Sequence, residues 1–154
     1  MENEVRRQLI EKYKDGHRVV TDALKGLEDR DLDVRLPGKW SIREIVHHLA
    51  DSEMLAAVRL RRLVAEDRPG LRATDVGGYV RRLFYDRPVQ NSLELFRAVR
   101  AATTEILERM TDADWAREGV HSETGRFTAE KWLEVFSQHA ETHADQIKRT
   151  RAAK

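Results

Sequence analysis

The stretch Trp132-Leu-Glu-Val-Phe-Ser-Gln-His-Ala-Glu-Thr-His-Ala-Asp-Gln-Ile147 carries two histidines, His139 and His143, within the apolar stripe of a helix. At about 100° per residue, Trp132, Val135, Phe136, His139, His143 and Ile147 share one face, while Glu134, Glu141, Asp145 and Lys148 lie elsewhere. The imidazoles are therefore expected to point inward, one turn apart. That spacing lets both reach a single metal ion. Such pairs also occur as hydrogen-bonded core histidines, so the pair alone does not define a site. The metalloprotease arrangement is excluded, because it needs Glu directly after the first His. Here Ala140 follows, and Glu141 falls on the opposite side of the helix.

Working outward, the first helix is expected over about Asn3 to Leu27, with Val5, Leu9, Tyr13, Val20, Ala23, Leu24 and Leu27 as its stripe. Gly16 interrupts it at a cost of about 1 kcal/mol relative to Ala, which points to the close approach of a neighbouring helix or ligand. His17 sits at the stripe's edge and reads as a flanking residue. A polar connector then ends in Leu36-Pro37-Gly38-Lys39-Trp40, and Ser41 with Glu44 three residues later forms a capping box that starts the second helix. Its inward face is Ile42, Ile45, Val46, Leu49, Ala56, Leu60 and Leu63. His48 borders that face, one turn from Ser52, and His47 projects nearly opposite to it.

Between Val64 and Asn91 the helical pattern breaks at Pro69-Gly70, Gly77-Gly78 and Pro88, with a short helical piece expected within Tyr79 to Tyr85. So long a connection predicts a crossover from one end of a bundle to the other, leaving the second and third helices parallel. The third helix starts near Ser92 and turns Leu93, Phe96, Val99, Thr103, Ile106, Leu107 and Met110 inward. Thr111 ends it or caps a further turn. Residues Ala116 to Phe127, with His121 and Glu123, read as a polar loop over one mouth of the bundle. Thr128 then caps the last helix. The expected class is all-α, a single domain over residues 1–154 built as a four-helix bundle with one long crossover.

His48 lies seven residues into the second helix, about 10 Å along its axis, and His143 lies eight residues from the end of the last, about 12 Å. Antiparallel helices with aligned ends would place the two at one level, assembling His48, His139 and His143. Three neutral imidazoles with no inward carboxylate nearby suit zinc or nickel and leave a coordination position open. Ser52 and Gln146 are candidates to orient the ligands. The di-iron carboxylate alternative fails: the single Glu-x-x-His spacing, Glu44 to His47, faces away from the stripe and has no second copy.

Composition narrows the rest. The chain of 154 residues has 28 Lys+Arg against 27 Asp+Glu, a formal charge of +1 that calls for neither nucleic acid nor an anionic membrane. The clusters Arg59/Arg61/Arg62 and Arg81/Arg82 read as solvated faces. Cys is absent, so thiolate ligands, disulfides and a cysteine nucleophile are excluded together. No signal-like start or spanning apolar stretch is seen, and a cytoplasmic setting is expected.

Gly-Lys-Trp-Ser-Ile-Arg-Glu-Ile-Val-His-His-Leu-Ala-Asp-Ser-Glu (Gly38 to Glu53), together with His139-x-x-x-His143-x-x-Gln146-Ile147, resembles the DinB/YfiT-like superfamily of metal-binding four-helix bundles. The resemblance runs over nearly the whole chain, including the Glu123-x-Gly125 loop. It implies an up-down-down-up bundle, commonly homodimeric, with His48, His139 and His143 as metal ligands. YfiT-like members are described as metal-dependent hydrolases, which would use metal-bound hydroxide; related branches transfer or isomerise with low-molecular-weight thiols such as bacillithiol or mycothiol. Gln146 stands where the YfiT-like branch can carry a further His, a departure that keeps the ligands and opens the substrate. The resemblance therefore implies either S-transfer of an activated thiol or hydrolysis of a small molecule. A non-enzymatic, stress-associated dimer with a structural metal is the contrasting expectation, and a fourth ligand such as His17 or His121 would mark it.

Overall fold

The computed structural model describes residues 1–153, so Lys154, the end of the expected domain, lies outside the described residues. Helices α1 (Asn3–Lys14) and α2 (Gly16–Leu24) form the first rod, followed by α3 (Ile42–Ala65). The crossover carries β1 (Gly70–Leu71) and α4 (Val76–Arg82) before α5 (Gln90–Leu107) and a single turn, α6 (Asp112–Trp115). Strands β2 (Glu118–His121) and β3 (Gly125–Thr128) then lead into α7 (Ala129–Arg151).

Directions follow from pairs that meet across helices. The Met1 ammonium lies 3.0 Å from Glu130, Lys12 pairs with Glu141 at 3.1 Å, and Arg151 donates to the carbonyls of Ala23 and Lys25, so the first rod runs parallel to α7. Arg100 meets Glu53 and Arg61 donates to Thr103, so α3 and α5 are parallel as the long crossover required. Trp132 Nε1 donates to the Ala56 carbonyl at 2.7 Å near the opposite end of α3, which makes α7 antiparallel to it. The order is up, down, down, up.

Two apolar clusters fill the bundle, one around Val20, Ile45, Leu49, Phe96 and Ile147, the other around Tyr13, Leu60, Leu63, Leu107, Trp132 and Phe136. Each fully buried aliphatic or aromatic side chain contributes about 1.5–3 kcal/mol. Polar residues come between the two clusters in sequence on three helices: Glu53 on α3, Arg100 on α5 and His139 on α7, with His143 one turn further on. The bundle thus has a polar waist, and the candidate site belongs to it.

Ser41 caps α3 as expected: its hydroxyl accepts from the Glu44 amide, and the Glu44 carboxylate accepts from the Ser41 amide. Ser41→Ala is expected to lower stability by about 1 kcal/mol, read as a shifted urea midpoint. Thr111 caps α6 in the same reciprocal way with Asp114, and the Thr128 hydroxyl caps α7 by accepting from the Lys131 amide.

Several expectations need correction. The first helix is not continuous to Leu27: it is interrupted at Asp15, where Arg100 Nη1 donates to the Tyr13 carbonyl, and it ends at Leu24. Val5 and Val135, placed in stripes by periodicity, are 43% and 41% exposed, because each stripe is narrower than the apolar pattern; Ile10 and Leu133 are buried instead. The segment before α7 is a hairpin rather than a loop. Its turn closes at Gly125, which has φ +77°, and β1 pairs in parallel with β2 through Gly70 to Val120 and Leu71 to His121. Strands this short carry little hydrophobic alternation, so periodicity misses them.

Candidate metal centre

His48 is delivered by the second turn of α3, and His139 and His143 by successive turns of α7. The three Nε2 atoms converge: His48 to His143 is 3.2 Å, and His139 to His143 is 3.2 Å. Their rings stand edge-on rather than stacked, with His139 and His143 at 78° and His48 and His143 at 69°. Gln146 Oε1 lies 2.8 Å from His143 Nδ1, and Ser52 Oγ lies 3.3 Å from His48 Nδ1. Trp40 and Phe136 flank the outer rings, with centroids 4.9 Å from His48 and 5.7 Å from His139.

The protonation states follow from these contacts. A carboxamide oxygen only accepts, so His143 Nδ1 carries the proton and its neutral Nε2 presents a lone pair toward its neighbours. Burial opposes charging any of the three. It pushes His139 down to about 3, helped by His143, His48 and Arg100, and His48 down to about 4, helped by His143; His143 is lowered too. Near neutral pH the cluster is thus three uncharged imidazoles whose Nε2 atoms face one another.

Left alone, this arrangement is unfavourable. His139 Nδ1 is buried without a hydrogen-bond partner, and His143 Nε2, with a single lone pair, faces two ring nitrogens and can accept from only one of them. A cation resolves the opposition. Imidazole nitrogens about 2.05 Å from a tetrahedral ion sit about 3.3 Å apart, close to the spacing here. The three donor atoms all lie within 4.8 Å of one another, and the residues present fit a borderline divalent metal.

The other histidines are elsewhere. His47, expected to project away from the core, is fully buried: its ring nitrogens contact Ser92 Oγ at 2.7 Å and the Arg87 carbonyl at 2.9 Å, and Tyr85 lies against the ring. The reason is that the crossover packs over the second face of α3, so a position opposite the bundle seam is still interior. Asp51, half-buried on this helix, accepts from the Tyr85 hydroxyl; Phe84 by contrast is 74% exposed. His17 is half-buried with its ring centroid 6.4 Å from Phe96, and its pKa is lowered, first by burial. His121 is outside the three-nitrogen cluster.

A cleft of about 250 Å³ opens onto the cluster, lined by His48, Ser52 and His139 on one side and by Thr74, His121 and Glu123 on the other. Its second wall is therefore built by the crossover and the hairpin. His121 Nδ1 accepts from the amides of Glu123 and Thr124, so the neutral ring holds its proton on Nε2.

The bundle core does hold a carboxylate, outside the three-nitrogen cluster. Glu53 is completely buried, with Tyr13 Oη donating to its Oε1 and Arg100 Nε donating to its Oε2 at 3.1 Å. Arg100, 1% exposed, also donates to the carbonyls of Tyr13 at 2.5 Å and Phe136 at 3.1 Å, and lies over the Tyr13 and Phe96 rings. Burial and Glu53 together drive the Tyr13 phenol upward. The sequence signal for this network was Gly16: a Cβ there would fall 2.2 Å from Arg100 Nη1 and 3.0 Å from the Ala140 Cβ. The glycine makes room for the guanidinium.

Bundle and cluster together define a class: four helices in up-down-down-up order with three imidazoles converging from the second and the last. The chain belongs to the DinB superfamily, whose family model matches residues 12–147. A protein of Oceanobacillus iheyensis named "putative metal-dependent hydrolase" is 27% identical over 139 residues, covering 90% of this chain and 81% of its own. YfiT of Bacillus subtilis, carrying the same description, is 28% identical over 138 residues, covering 88% of this chain and 74% of its own. The solved structure of YfiT, described as "a probable metal-dependent hydrolase with an unusual four-helix bundle topology", is similar with a TM-score of 0.91 over 97% of this chain and 87% of that one, at 25% identity.

Proposed function

We propose that His48, His139 and His143 hold a divalent cation, zinc or nickel by the chemistry of three neutral nitrogen donors, at the reaction centre of an enzyme that activates a small nucleophile. The observation that carries this reading is the convergence of three Nε2 atoms at the head of a cleft, with no fourth protein donor closing the set among the described residues. When bound, such an ion supplies Lewis acidity that lowers the pKa of a thiol or a water brought to it. The residues around it supply orientation. Gln146 fixes the His143 tautomer, Ser52 steadies His48, and Trp40 and Phe136 keep bulk water from the outer rings.

The nucleophile we favour is a low-molecular-weight thiol, bacillithiol- or mycothiol-like, which is transferred to an electrophile. Hydrolysis by an activated water needs a base within reach, and the one carboxylate lining the cleft, Glu123, belongs to the exposed hairpin turn. Hydrolysis is the second reading, favoured by the description that the relatives carry.

The test begins with metal content by mass spectrometry and continues with turnover of a model electrophile and a model ester, each with and without added thiol. Near-equimolar zinc or nickel with thiol-dependent conjugation is the expected outcome. Ester turnover without thiol would replace transfer by hydrolysis, and a wild-type protein that retains no divalent ion would end the metalloenzyme reading. Gln146→Leu is expected to weaken metal binding about 10- to 100-fold, measured by competition with a chromophoric chelator, because His143 loses the acceptor that fixes its tautomer.

A further inference from the structure

Within the basic cluster expected to be a solvated face, Arg59 is the residue that reaches the cleft. Arg59 is half-buried and lines the cleft that opens onto the histidines. Arg62 on the next turn pairs with Glu66, an exposed ion pair of the ordinary kind. Among the described residues Arg59 has no such partner: its Nη2 donates to the Arg72 carbonyl at 2.7 Å and to Thr74 Oγ1 at 3.1 Å, both neutral acceptors. Those two contacts tie the side chain to the crossover and leave its Nε and Nη1 donors for something else.

A guanidinium that loses water without gaining a carboxylate is in an unfavourable position, and an incoming anion relieves it. Burial is the first cause of its lowered pKa, and the Tyr79 phenol is the only opposing influence. Glu123, across the cleft, forms no ion pair with it among the described residues. Arg59 is three turns beyond His48 on α3, about 16 Å along the axis, and helical side chains lean toward the N-terminus of their helix. The head group is held at Thr74, which lines the same cleft as His48 and His139, so the guanidinium and the imidazoles share one cavity.

We propose that Arg59 is the anion-binding end of this cleft, receiving the carboxylate of a small organic substrate whose reacting end lies at the three-histidine cluster. The proposal rests on the reading of that cluster as the reaction centre, and it names the substrate class: an elongated molecule, reactive at one end and anionic at the other. The planar fork of the guanidinium suits a carboxylate in two-point contact and orients the substrate along the cleft.

The probes are hexanoate and hexan-1-ol, equal in chain length and different in charge, titrated into the full chain and followed by amide chemical shifts. Hexanoate is expected to bind at least tenfold more tightly, with shifts at Thr74 and His121 and an advantage that shrinks as salt rises. Arg59→Gln should abolish the advantage, and Arg59→Lys should restore part of it. Metal content by mass spectrometry and the thermal unfolding midpoint should be unchanged in both variants. Equal binding of the two probes, binding of neither, or a preference that survives Arg59→Gln would overturn the proposal. A wild type that prefers hexanoate but retains no metal would sink the reaction-centre reading while the anion site stood.

Discussion

Replacing Arg100 by Met should cost about 3–5 kcal/mol of unfolding free energy, the range found when one partner of a buried ion pair is removed. The guanidinium joins three helices at once: it holds Glu53 of α3, the terminal carbonyl region of α1 at Tyr13, and the Phe136 carbonyl of α7. Met fills most of the volume but leaves the Glu53 carboxylate in the core with only the Tyr13 hydroxyl, and both carbonyls lose a donor. Urea unfolding is the measurement, with the midpoint falling and the slope unchanged if the native fold is retained. The double variant Glu53→Gln with Arg100→Met should recover a good part of the loss, since the stranded charge is gone. A loss below 1 kcal/mol for Arg100→Met would mean that the waist contributes nothing to holding the rods together.

His139→Leu should move stability and metal affinity in opposite directions. In the wild type without metal, a buried Nδ1 lacks a partner and the one lone pair of His143 Nε2 faces two ring nitrogens. Leu removes both penalties, so metal-free variant protein should be about 1–3 kcal/mol more stable than metal-free wild type. Metal affinity should meanwhile fall roughly a thousandfold, as one of three ligands is lost. The pH dependence gives an independent readout. His139 and His48 have folded pKa values of about 3 and about 4, below the ordinary 6.5, so the unfolded chain binds more protons across that interval. The stability they confer is complete above about pH 6.5 and drains away as pH falls toward 4 and then 3. In chelated protein that acid slope should be steep for the wild type and shallower for His139→Leu. Parallel slopes would assign the acid sensitivity to other groups.

Much of this was readable before any coordinates. The Ser41 and Glu44 capping box located the start of α3, and counting from it put His48 level with His143. Periodicity then chose His48 over its neighbour, and His48 is the one that meets His143, because the apolar stripe of α3 faces α7 there. It failed at His47 because periodicity describes one buried face, whereas α3 is wrapped on a second by the crossover. Val5 and Val135 failed for the related reason that an apolar residue at a stripe's edge can remain in water without penalty. The Glu53, Arg100 and Tyr13 network was hidden by a different cause: charged residues read as exterior unless their partners are known, and the partners come from helices 40 and 47 residues away. Gly16 alone hinted at it. Arg59 was misplaced likewise, as composition cannot show that the chain folds back over it.

The up-down-down-up order also bears on when the cluster can come into being. His48 and His143 are 95 residues apart, whereas His139 and His143 are four apart. An unfolded chain can therefore offer an ion only a two-imidazole site on a short helix, which is itself marginal in isolation. The third nitrogen arrives when the second rod has docked against the last, after nearly all of the chain has closed its longest loop. An ion accordingly cannot act as a template for this fold. Held by these three residues, it would act as a clasp, fastening α3 to α7 in a finished structure and adding to the stability of the folded state.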